Sequence, residues 1–270
     1  MSRFSSTFER LQRDDSTGLL PYLMAGYPDV QTSRALADVA LATGADGFEI
    51  GVPFSDPLAD GATLQRVNVR ALERGATLQT ALDLARHIRQ SGPECPIALM
   101  TYYNPVRQSG ESRFADEVRA AGADGVIVPD LPPEEAGPLA DELRRRELSF
   151  IPLLAPTSPP ARIEAVAALE PAFIYCVALV GLTGARSEVS ATLGDFLGRV
   201  RAITTTPLVV GFGVSQPQHV RRIAELGAEG VIVASALLDL VDRSAEPVEA
   251  ARAYLTELKS ATHRADVLVS

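Results

Sequence analysis

A closed (β/α)8 barrel, with an extra helix at its N-terminus and a short helix after its eighth strand, is the fold this sequence predicts. Three observations carry it. Eight short apolar runs alternate with amphipathic helical stretches along the 270 residues. Those runs are nearly continuous in apolar character, as parallel strands covered on both faces should be. One helix-to-strand turn also recurs, as Gly44-Ala45-Asp46-Gly47, Gly122-Ala123-Asp124-Gly125 and Gly227-Ala228-Glu229-Gly230. The first Gly of each copy supplies the positive-φ stop that ends a helix. Repeated β/α units, eight in number, favour a closed barrel over an open sheet. The length suits one barrel of this kind, and no linker or low-complexity tract divides it, so residues 1–270 are expected to form a single domain.

Taken in order, Phe4, Phe8 and Leu11 stand at helical spacing and predict a short amphipathic helix before the barrel. Strands are expected near Leu19–Ala25, Gly47–Gly51, Ile97–Thr101, Gly125–Val128, Phe150–Leu153, Phe173–Val177, Leu208–Gly211 and Gly230–Val233. Pro132-Pro133 and Pro159-Pro160 read as first-turn helix starters.

Composition narrows the function. A net charge of −9 argues against nucleic acid or an anionic membrane as the main partner. An anionic substrate must then be held by local features. The longest apolar run, Phe173 to Val180, is too short to span a bilayer, and no leader pattern opens the chain. The expected setting is the cytoplasm. Cys95 and Cys176 form no ligand or redox motif. Lys259 is the only lysine, in the last helical pattern, and His87, His219 and His263 are scattered through helical patterns. A Schiff-base lysine at a strand end and a histidine zinc site are both missing from this pattern, so neither metal nor cofactor is expected.

In such barrels the site lies at the C-terminal ends of the strands. That end holds Glu49, Asp60, Tyr102, Asp130 and Tyr175. Glu49 stands inside an apolar run and Asp60 closes the following loop. A carboxylate out of water is costly, and two carboxylates in different surroundings suit general acid–base chemistry. A structural alternative has backbone N–H groups satisfying Glu49 and Asp60 capping a helix from Ala62. Asp130 is either a third acid or a helix-entry residue, and the tyrosines are either site or core residues. Later segments, Gly181-Leu182-Thr183-Gly184, Gly211-Phe212-Gly213-Val214-Ser215 and Ala234-Ser235, are Gly-rich or small at strand ends. Two of them follow strands seven and eight, where backbone N–H groups and a short helix can bind phosphate. The residues therefore point to a barrel enzyme acting on a phosphorylated small molecule through carboxylates.

Several motifs, in order, resemble the tryptophan synthase alpha subunit family nearly end to end. They are Ala25-Gly26-Tyr27-Pro28-Asp29, Glu49 to Gly61, Thr101-Tyr102-Tyr103-Asn104-Pro105, Gly125 to Pro132, Ala155-Pro156-Thr157, Gly181 to Arg186 and Gly211-Phe212-Gly213. The resemblance implies a lyase that cleaves indole-3-glycerol phosphate to indole and glyceraldehyde 3-phosphate by a retro-aldol reaction, with a beta subunit as partner. It implies Glu49 as general acid–base, Asp60 at the indole nitrogen and Tyr175 beside Glu49. Tyr22, Met100, Tyr102, Ile127, Leu153 and Phe212 would form the indole slot. Backbone N–H groups of Gly184, Gly213, Ala234 and Ser235 would hold the phosphate, and Thr183 would sit on a closing loop. The chain departs from the family's usual pattern at Ala178-Leu179-Val180, at Ala234 and at Arg107-Gln108-Ser109-Gly110. These departures leave an indole-releasing lyase that works without a beta subunit as an alternative. Another phosphate-binding barrel isomerase or synthase, and a non-catalytic activator, are further alternatives.

Overall fold

The computed structural model describes residues 2–177, 186–211 and 213–263. Nine strands run parallel: β1 Gly18–Met24, β2 Phe48–Gly51, β3 Ile97–Met100, β4 Gly125–Ile127, β5 Ser149–Ile151, β6 Leu153–Leu154, β7 Ile174–Val177, β8 Leu208–Gly211 and β9 Gly230–Val233. Their order in the sheet is β5-β4-β3-β2-β1-β9-β8-β7-β6. The two ends of that order, β5 and β6, are separated in the chain by Pro152 alone. They are one barrel strand, expected as Phe150–Leu153, that is interrupted where proline has no N–H for the ladder. The Pro152 carbonyl still accepts the Tyr175 N–H at 3.0 Å. The sheet thus closes on itself as an eight-strand barrel, with helices between the strands.

The recurring turn explains how the barrel is pinned at its N-terminal end. Gly44, Gly122 and Gly227 have φ of 83°, 82° and 85°, where an L side chain is strained. The acid two residues on then reaches sideways to the neighbouring strand. Asp46 Oδ2 accepts the Leu19 N–H at 2.9 Å, Asp124 Oδ2 the Ile97 N–H at 2.9 Å, and Glu229 Oε2 the Leu208 N–H at 2.7 Å. Each acid is neutralised: Asp46 by Arg10 and Lys259, Asp124 by Arg3 and Arg89, Glu229 by Arg201. Charge-assisted bonds of this kind are strong, and pairing offsets the cost of burying the carboxylates.

The Arg3–Arg13 helix covers that same end. Its Phe4, Phe8 and Leu11 are buried, and both rings meet Phe173 edge-on, at 5.2 and 6.1 Å between centroids. Two expectations are corrected. Pro132 and Pro133 start a turn, and the next helix begins at Gly137, whereas Pro160 does open a helix. His263 lies beyond the Pro247–Ser260 helix, where it bridges to Ser16. Among the described residues no helix is long and apolar enough to cross a membrane.

Candidate active site

Glu49 stands in the middle of β2, in register with Tyr22 of β1 and Ala98 of β3. Its flanking residues Phe48 and Ile50 are fully buried, so the strand cannot turn its carboxylate to water. The residue is 1% exposed, and Oε2 has no hydrogen-bond partner. Backbone N–H groups therefore do not satisfy that oxygen, contrary to the structural alternative. Burial, with a further push from the Asp60 charge, raises its pKa to about 8.

Asp60 ends the loop after β2 and is 8% exposed. It does not cap the helix that follows: Gly61 holds the cap position of Ala62–Glu73 without a side-chain bond. Instead Oδ1 accepts the Tyr102 hydroxyl at 3.0 Å, and Oδ2 accepts Asn68 Nδ2 at 2.9 Å. Burial raises its pKa to about 6, against the pull of those two donors, which favour the ionised form. Near neutrality the pair therefore divides its roles, with Glu49 mostly protonated and Asp60 mostly ionised.

Both carboxylates line a cavity of about 250 Å³ at the C-terminal ends of the strands. Tyr22, Met100, Ile127, Leu153 and Tyr175 line it too. Two glycines make room for the tyrosines. A Cβ added to Gly51 would stand 1.9 Å from Tyr22 Oη, and one added to Gly211 would stand 2.1 Å from Tyr175 Oη. Burial raises both phenols well above their ordinary range, with Asp60 and Glu49 adding to the effect, so both stay neutral. Tyr102 stands beside the cavity, behind Asp60, where its hydroxyl donates to that carboxylate and its ring stacks on Phe54.

One rim of the cavity is formed at a helix start. Gly213 (φ 77°), Ala234 and Ser235 lie together there, and Ser235 opens the Ser235–Arg243 helix, whose first turn carries no side-chain cap. Ala234 has φ −121°, so its methyl group is accommodated without a positive φ. Thr183, Gly184 and Phe212, and the Ala178-Leu179-Val180 segment, lie outside the described residues. Asp130 is not in the cavity; its Oδ1 accepts the Tyr103 N–H at 2.9 Å, at the start of the Tyr103–Ser109 helix, so it serves a neighbouring helix rather than its own. Leu64, Pro129, Ile232 and Asp239 line the cavity without having been singled out from the sequence. Ile232 had a legible signal, because alternate residues of a barrel strand face inward. A larger and more open groove, about 670 Å³, lies at the opposite end, but its buried acid Asp124 is taken up by Arg3 and Arg89.

The tryptophan synthase alpha chain family profile matches residues 8–266. The chain belongs to the tryptophan synthase alpha chain family. The alpha chain of Chloroflexus aggregans is 46% identical over 266 residues, covering 98% of this chain and 99% of that one. The alpha chain of Roseiflexus sp. is 49% identical over 253 residues, covering 94% and 97%. The crystal structure of the tryptophan synthase alpha subunit of Legionella pneumophila superposes with a TM-score of 0.89 at 34% identity, covering 97% of this chain and 98% of that one. In this tryptophan synthase alpha family member the single lysine, Lys259, pairs with Asp46 at the barrel end remote from the cavity. Among the described residues no group of three His, Cys, Asp or Glu is placed to hold a metal ion.

Proposed function

We propose that Glu49 and Asp60 carry out, in this lyase, the retro-aldol cleavage of indole-3-glycerol phosphate to indole and glyceraldehyde 3-phosphate. The observation that carries the reading is the buried Glu49 oxygen without a partner, in one cavity with a carboxylate held ionised by two donors. Protonated Glu49 delivers its proton to indole C3, and the positive charge that develops on the ring is stabilised by Asp60 at the indole N–H. Glu49, now a carboxylate, takes the proton of the glycerol hydroxyl next to the ring. The C3–carbon bond breaks, its electrons return to the ring nitrogen, and the hydroxyl carbon leaves as the aldehyde. One proton is given and one taken, so Glu49 ends as it began.

Tyr22, Met100, Ile127, Leu153 and Tyr175 would clasp the indole ring. Backbone N–H groups of Gly213, Ala234 and Ser235 would hold the phosphate, favoured by the helix N-terminus. Gly184, Thr183 and Phe212 complete the family's set in this reading. A beta subunit would dock over the loop after β2, where Ser55, Asp56 and Leu58 are exposed, Leu58 to 88%, while Pro53 is buried. The working compartment in this reading is the cytoplasm. The test is indole release from indole-3-glycerol phosphate, with and without the beta subunit of the same organism. Glu49→Gln should lower turnover by about 10²-fold or more while leaving substrate binding nearly unchanged; near-native turnover would sink the mechanism.

A further inference from the structure

One buried polar side chain connects Asp60 to the loop in front of it. Asn68 lies on the inner face of the Ala62–Glu73 helix, beside Leu64, Val67 and Ala71, and is 2% exposed. Its Nδ2 donates to Asp60 Oδ2 at 2.9 Å and to the Leu64 carbonyl at 3.1 Å, and its Oδ1 accepts the Phe54 N–H at 3.0 Å. The orientation of the amide is forced, because an ionised carboxylate can only accept and a backbone N–H can only donate. Phe54 is held a second time. Its ring stacks on Tyr102 at 5.1 Å between centroids, and the Tyr102 hydroxyl donates to the other Asp60 oxygen. Phe54, Asn68, Asp60 and Tyr102 thus form a closed ring of contacts. A helix needing only apolar packing there would carry Leu or Ala, since a buried amide is costly without such bonds.

We propose that Asn68 is a positioning residue for the cleavage: it fixes Asp60 toward the indole nitrogen and ties that carboxylate to the backbone of the Phe54 loop. The proposal rests on the role given to Asp60 above. Held at both oxygens, Asp60 keeps one orientation, and movement of the Phe54 loop reaches it from two sides. Charge at the indole nitrogen develops in the transition state, so loss of Asn68 acts on kcat more than on KM. The lost bond also favoured the ionised form, so Asp60 then titrates at higher pH. The other titratable groups around Asp60 are Glu49 on β2, Tyr22 on β1, Tyr102 after β3 and Tyr175 on β7, with Asp239 on the cavity rim paired to Arg66, and Asp130 near Tyr102. An Asn68 variant keeps every one of these side chains.

The experiment follows indole release by the full chain with its beta subunit, over about pH 5 to 9, for Asn68→Ala, Asn68→Asp, Asp60→Asn and the Asn68→Ala/Asp60→Asn double variant. Asn68→Ala should lose about tenfold in kcat with KM changed less than about threefold, and its acid limb should move up by about one pH unit. Asn68→Asp keeps the shape and the Phe54 bond but sets a second carboxylate against Asp60, and should move the limb further. In the Asp60→Asn background, Asn68→Ala should cost nothing more. A folded Asn68→Ala enzyme with the wild-type kcat and acid limb, beside an impaired Asp60→Asn, overturns the positioning role and leaves the mechanism standing. Wild-type activity in Asp60→Asn overturns both. Should Asn68→Ala fail to fold, an unchanged acid limb in Asn68→Asp overturns the proposal equally.

Discussion

Glu49 is buried as fully as the phenylalanine and isoleucine beside it, and its strand neighbours give it no way out. Its raised pKa has a cost in stability whose sign follows from proton linkage. The folded chain keeps a proton up to about pH 8 that the unfolded chain releases near 4.5. Below the lower value Glu49 is neutral in both states and costs nothing as a charge; between the two, rising pH progressively favours unfolding. Glu49→Gln removes that penalty. Calorimetry should therefore find the variant more stable than the wild type at about pH 9 by several degrees in Tm, and nearly equal at about pH 4. Equal melting at both would contradict the burial of a titrating Glu49. A second residue-scale test concerns Gly211, where an added Cβ meets the Tyr175 hydroxyl at 2.1 Å. Gly211→Ala should cost about 1–3 kcal/mol through overpacking, as read by denaturant unfolding. Adding Tyr175→Leu should relieve part of it, so the double variant loses less than the sum of the two singles.

Among the elements, the three Gly-Ala-acid-Gly turns were legible as helix stops, because a repeat at the same place in successive units has a backbone cause. Their acids were not legible as clamps. That Asp46, Asp124 and Glu229 each reach an N–H near the start of a neighbouring strand depends on strand adjacency, which the sequence does not print. The same blindness split the fifth strand: Pro152 was visible, but not that barrel closure falls on it. Glu49 and Asp60 could be singled out because acids in apolar surroundings need a reason. Asn68 could not, since an amide on a helix face looks like a solvated residue until its partners are known. The clamps predict their own cost. Asp46→Ala strands the Leu19 N–H and two cations at a site where the acid is 5% exposed, and should destabilise the chain by about 3 kcal/mol with little change in the cavity. Destabilisation under about 0.5 kcal/mol would show that the clamp is ornamental.

At the scale of the whole molecule the two ends of the barrel divide the work. The N-terminal end carries the paired acids, the aromatic packing of Phe4, Phe8 and Phe173, and the one lysine. The C-terminal end carries the cavity, the carboxylates with perturbed pKa values and the exposed loop after β2. A partner seated on that loop would act on Asp60 through Phe54, and a coupling of about 1–3 kcal/mol is the usual scale for such linkage. Indole release should accordingly rise about 5- to 150-fold when the beta subunit is added; no gain from it would favour a lyase that works alone. The proposed cleavage needs Asp60 ionised and Glu49 protonated at the same time. Its most direct test is the pH dependence of kcat/KM for indole release from indole-3-glycerol phosphate by the chain with its beta subunit. The profile should be a bell whose acid limb falls at about 6, as Asp60 takes up a proton, and whose alkaline limb falls at about 8, as Glu49 loses one. The alkaline limb should be absent in the residual activity of Glu49→Gln. A flat profile across that range, or an alkaline limb that persists unchanged in Glu49→Gln, would contradict it.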